Sequence, residues 1–85
     1  MEIQRHNSTE MRLYKGIENK TVTLRVVLDR KAGIASILSY NPVVKNWSPP
    51  MKKRPAYISE TEFEAIQLLF KFALEYVSKT GLKLV

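Results

Sequence analysis

Residues 59–81 read SETEFEAIQLLFKFALEYVSKTG, and this stretch decides the class of fold. Ser59-Glu60-Thr61-Glu62 is a capping box, in which the serine hydroxyl and the glutamate side chain satisfy each other's exposed backbone amides. Glu60, Glu62 and Glu64 in the first turns suit the positive end of a helix. Gly81, following Lys79 and Thr80, is a natural stop, so the predicted helix covers about residues 60–79. At about 100° per residue, Phe63, Ile66, Phe70, Ala73 and Val77 form one apolar stripe. Ala65, Leu69, Phe72 and Tyr76 form a second, with Leu68 and Leu74 at the margins. Glu64, Gln67, Lys71, Glu75 and Ser78 share a narrow polar strip. The apolar arc spans roughly 240°, whereas a helix lying on one sheet needs a stripe of somewhat over 100°. The surplus predicts a two-fold homodimer with Ala65, Leu68, Leu69, Phe72 and Tyr76 at its interface. The alternative is that the long loop before the helix folds over the second stripe, and which stripe faces the sheet stays open.

Upstream, the period changes from helical to two. From Thr21 to Asp29, Val22, Leu24, Val26 and Leu28 point one way and Thr21, Thr23, Arg25 and Val27 the other, the pattern of a half-buried antiparallel strand with Arg25 on its open face. Residues 11–17 (MRLYKGI) read as a strand joined to it by the turn Glu18-Asn19-Lys20. Arg30-Lys31-Ala32-Gly33 is a second turn, leading to a strand over residues 34–40 (IASILSY). The face Ile34, Ser36, Leu38, Tyr40 of that strand is more apolar than Ala35, Ile37, Ser39, which makes Tyr40 a candidate for the interior. All four prolines fall between Asn41 and Pro55, so an extended loop is predicted there, with a short fourth strand at residues 56–58. Residues 1–10 are polar apart from Ile3 and the initiator and are predicted to be a flexible arm ahead of a single domain at 11–85. The fold class is therefore α+β: a curved antiparallel sheet of three to four strands followed by one C-terminal helix.

Charge is partitioned along the chain. Residues 11–58 hold ten Lys or Arg against Glu18 and Asp29, a net +8, while each flanking segment carries −1, which leaves the formal +6. A positive field confined to one half of a small domain suggests a polyanion surface, because neutralised phosphates release condensed counterions. At 85 residues the core is small enough that a partner subunit is a reasonable expectation. The absence of cysteine excludes disulfides and thiolate-ligated metal, and no secretory signal pattern opens the chain, so an intracellular, soluble protein is expected. The sequons at Asn7, Asn19 and Asn46 read as chance occurrences in that setting.

Catalysis finds no support in the residues. The one histidine, His6, sits in the predicted arm, no carboxylate pair has a recognisable spacing, and three glycines make no phosphate loop, so neither an enzyme, a metal nor a cofactor is expected. Single-strand binding fits better, since it needs a basic groove along the phosphates and aromatic planes for the bases. The cationic candidates are Lys15, Arg25, Arg30, Lys31, Lys45, Lys52, Lys53 and Arg54, and the stacking candidates are Trp47, Tyr40 and Tyr14. Trp47, flanked by Lys45-Asn46 and Ser48-Pro49-Pro50, is either an anchor for the loop or an exposed stacking residue.

Residues 52–59 (KKRPAYIS) followed by Glu62-Phe63, and preceded by Tyr40-Asn41-Pro42 at a strand end, resemble the positive cofactor 4 family of transcription coactivators and single-stranded-DNA-binding proteins. The resemblance covers residues 34–77. It implies a curved four-stranded antiparallel sheet, dimerisation through the helices and single-stranded DNA in a basic groove on the open faces. Lys53 and Arg54 match the family's basic pair before its last strand, and Phe63 matches a packing aromatic. This chain has Phe63 where the family usually has Trp, Pro55 where it has Gly, and a longer connection between residues 40 and 58. The expectation is a homodimer binding single-stranded nucleic acid, DNA before RNA, with little sequence preference, in transcription or replication and beside their protein partners. The rivals are a protein-interaction subunit docking through its wide apolar helix and an RNA-binding accessory protein.

Overall fold

The computed structural model describes the backbone of residues 2–7 and the whole of residues 9–85. Five strands follow one another in antiparallel order: β1 (Glu2–Asn7), β2 (Glu10–Ile17), β3 (Lys20–Asp29), β4 (Ile34–Asn41) and β5 (Asn46–Ser48). The helix α1 (Glu60–Thr80) lies across one face, and β6 (Lys83–Leu84) returns to pair in parallel with the start of β4. The class is α+β, with one open antiparallel sheet and one C-terminal helix, as the periodicities predict.

The alternation in β3 holds residue by residue: Val22, Leu24, Val26 and Leu28 are buried against the helix and Arg25 lies on the opposite, open face. Met11 and Leu13 of β2 and Ala35 and Ile37 of β4 complete the sheet's inner side. That corrects the reading of β4, because the smaller set of residues turns inward. Ala35 is fully buried in one core with Ala73 and Val77 of the helix, where small side chains let the two layers approach, while Ile34 and Leu38 are only half-buried and Tyr40 is exposed.

Three further expectations are corrected. Within the predicted arm, Glu2–Asn7 pairs with β2 (Ile3 opposite Leu13, Arg5 opposite Met11), and Glu10 already belongs to β2. Backbone pairing along one side asks nothing of side-chain polarity, so a polar segment can serve there. His6 and the other side chains of residues 1–8 lie outside the described ones. The proline-rich loop contains β5, reached by a turn at residues 42–45 in which the Asn41 carboxamide accepts from the amides of Val43 at 2.9 Å and Val44 at 3.4 Å. Residues 56–58 form a turn instead of a strand, closed by the Ile58 amide donating to the Pro55 carbonyl at 3.1 Å. Ile58 is buried there, which anchors the loop to the core.

Helix α1 begins and ends where its signals place it. Ser59 Oγ accepts from the Glu62 amide at 3.2 Å, and Gly81 takes φ +77°, the left-handed conformation a side chain resists. Only half of the capping box forms, because the Glu62 carboxylate binds Lys20 Nζ at 2.7 Å and ties the first helical turn to the start of β3. The sheet takes the seam between the two predicted stripes, burying Ala65, Ile66, Leu69, Ala73 and Val77. On one flank the preceding loop brings Pro49, Met51, Pro55 and Tyr57 around Phe63 and Ile66, which belong to the first stripe, so the loop covers that stripe and not the second as the alternative had it. Of the five residues expected at a dimer interface, Ala65 and Leu69 are therefore spent inside the core and Tyr76 packs against it, which leaves Leu68 at 40% and Phe72 at 41% exposure. Among the described residues, no helix is long and apolar enough to cross a membrane.

Candidate functional site

The two-residue turn Glu18-Asn19 sets the register of the β2–β3 hairpin, with Ile17 opposite Lys20. Counting outward, Arg12 falls opposite Arg25, and Arg25 opposite Leu38 on β4, in one row across the open face. Like charges directly across a strand pair repel. Glu10, two residues before Arg12 and on the same face, relieves them: its Oε1 accepts from Arg25 Nε at 2.8 Å and from Arg12 Nε at 2.9 Å. With two guanidinium groups and one carboxylate, the group carries a net +1.

Trp47 reaches this row from β5. Its ring centroid lies 5.2 Å from the Arg25 guanidinium carbon and 5.7 Å from that of Arg12, a double cation–π contact. Tyr40, its partner in the β4–β5 register, meets it edge-on at 5.7 Å between centroids and 76° between planes. The indole is half-buried and Tyr40 is exposed. Trp47 thus anchors the proline-rich loop on the sheet, while part of its ring stays at the surface. Both bonds to Glu10 run through Nε, so the terminal Nη groups of the two arginines take no part in them.

The hydrogen bond from Arg25, and after it that from Arg12, holds the Glu10 carboxyl below its ordinary value, and the same interaction raises Arg12 further. A carboxyl depressed in the folded state adds stability that is complete above its unfolded pKa, about 4.3 to 4.5, and is lost as the pH falls through the lower folded value. Acid titration of stability in the wild type and in Glu10→Gln checks this. The wild type is expected to be the more stable at pH 7, and the gap to close only below about pH 4.5.

The other predicted site residues do not converge on this row. Lys15 sits opposite Val22, on the helix side of the sheet. Arg30 and Lys31 occupy the β3–β4 turn, at the opposite end of the sheet from the β4–β5 turn that holds exposed Lys45. Pro49 and Pro50 follow β5, and the basic run comes to lie beside the helix: Lys52 borders a groove with Phe70, Lys71 and Leu74, Lys53 is exposed, and Arg54 Nη1 donates to the Ile58 carbonyl at 2.8 Å. The structure unites Arg25, Tyr40 and Trp47 and adds Glu10 and Arg12, which sequence reasoning missed. The signal was the turn length, since a three-residue turn displaces Arg12 from Arg25 and a two-residue turn aligns them. Among the described residues no three His, Cys, Asp or Glu side chains cluster as metal ligands would. Compared with known proteins, the chain matches no family model, no curated protein and no solved structure.

Proposed function

We propose that this chain binds single-stranded nucleic acid, DNA in the first instance, across the open face of its sheet and with little sequence preference. The observation that carries the reading is the indole of Trp47 held over two guanidinium groups with Tyr40 at its edge. Guanidinium groups are shaped for phosphate oxygens, and an indole offers the plane on which any base stacks. Glu10 bridges the two cations against their mutual repulsion and still leaves the row a net +1. The formal +6 of the chain adds a long-range attraction for polyanions. The resemblance to positive cofactor 4 points to the same ligand, although the basic pair it would carry over lies in the loop beside the helix and Arg54 is engaged with Ile58. Homodimerisation through Leu68 and Phe72 remains part of the proposal, on a narrower surface than the apolar arc implied.

Anisotropy of a labelled oligonucleotide titrated at rising salt tests the reading. Affinity is expected to fall along a log–log line with a slope of about 0.7 per neutralised phosphate for a single strand, and duplex of the same length to bind more weakly. Binding indifferent to salt, or a preference for duplex, overturns it. An RNA arm of the same length separates the two strands chemically, since a 2′-hydroxyl interaction would make RNA the tighter ligand.

A further inference from the structure

Beside Trp47 the sheet comes apart. The β3–β4 ladder begins at Leu24 opposite Ser39, whereas Lys20, Thr21, Val22 and Thr23 of β3 pair with β2 alone, and Tyr40 and Asn41 pair with β5. Successive residues of a strand turn their N–H and C=O groups to opposite neighbours, so part of the polar backbone of Thr21–Thr23 faces the gap and not a strand. A cleft of about 400 Å³ opens there. Thr21, Thr23, Tyr40 and Trp47 line it from the open face, and Lys20 and Glu62, joined at 2.7 Å, line it from the helix side. That volume is in the range of small-ligand sites, and this one combines aromatic walls with hydroxyl, backbone and carboxylate groups.

We infer that the cleft receives one nucleobase of the bound strand, turned out of line with its neighbours. The inference rests on the open face being a single-strand site, and it deepens that reading by assigning a base-sized slot to it. Trp47 belongs to both places, lining the cleft and covering Arg12 and Arg25, so a strand whose phosphates meet the arginines passes the mouth of the slot. An unstacked base brings a flat apolar face and a polar edge, and the cleft supplies a partner for each: Trp47 and Tyr40 for the face, the threonines and the backbone they carry for the edge. An extended peptide would need a continuous run of backbone partners, and the gap in the β3–β4 ladder spans only the four residues Lys20–Thr23 on the β3 side, the first of them held by Glu62.

Two oligonucleotides of equal length and charge make the test, one of thymidine and one abasic throughout. The wild type is expected to prefer thymidine, and Thr21→Tyr, which fills the cleft from an exposed strand position, to reduce that preference about tenfold with the salt slope set by the arginines retained. An unchanged preference in Thr21→Tyr overturns the slot. A second measurement needs no variant: photocrosslinking a 5-iodouracil oligonucleotide to the wild type is expected to place adducts on Tyr40 or Trp47. Adducts confined to Tyr14, Tyr57 or the helix overturn the slot while leaving single-strand binding intact. Failure of both oligonucleotides to bind at low salt overturns the functional reading and the slot with it.

Discussion

Replacing Arg12 and Arg25 together with alanine is expected to weaken binding of a single-stranded oligonucleotide about 100-fold at low salt, on about 1.5 kcal/mol for each charge-assisted hydrogen bond to phosphate that is removed. The row then changes from +1 to −1, because Glu10 remains and loses both partners. The slope of log affinity against log salt should fall by about 1.4, two phosphates at about 0.7 each. The comparison that gives the result its meaning is the triple variant Lys52→Ala, Lys53→Ala, Arg54→Ala. It removes one more charge than the double variant, yet from the loop beside the helix, and its slope should change less. A triple variant that loses more than the double one would move the binding surface from the open sheet face to that loop.

The largest loss of stability is expected from Leu69→Ala. Leu69 is 0% exposed at the centre of the helix–sheet seam. Truncating a buried leucine to alanine costs about 2 to 5 kcal/mol, a large part of the total of about 5 to 15 that holds a domain together. For a domain of this size the melting temperature should drop by about 10 to 30 °C, read by circular dichroism. Leu68→Ala, one residue away and 40% exposed, is the control, expected to change stability by less than about 1 kcal/mol in a monomer. A Leu68→Ala loss that grows as the protein is concentrated would show a subunit interface at that flank, since association makes stability depend on concentration.

What could be read from the sequence was what side-chain periodicity encodes. β3 and α1 bury enough apolar surface for their patterns to fix both existence and direction, and Ser59 and Gly81 mark the helix ends chemically. What could not be read was held by the backbone or by register. β1 is joined by main-chain pairing to β2, which leaves no mark on composition. β5 is three residues long, and its prolines lie just beyond it. The seam on which α1 packs falls between two stripes of similar apolar character, so helical periodicity alone had no means of choosing it. The candidate site was half legible for a related reason. Arg25, Tyr40 and Trp47 stood out by residue type, whereas Glu10 and Arg12 acquire their meaning only from a turn shorter by one residue.

The parallel return of the chain after α1 has a consequence for how the protein behaves in a crowded solution. The outer edge of β4 is shared between two short strands: β6 takes Ile34 and Ala35, and β5 takes Ser39, Tyr40 and Asn41. Among the described residues only Ser36, Ile37 and Leu38 are left without a strand on that side. An unbroken eight-residue edge would template the addition of a strand from another molecule, the first step of amyloid-like growth. A three-residue window between two caps is too short for that, and Pro49 and Pro50, which lack an amide proton, keep β5 from lengthening into a template of its own.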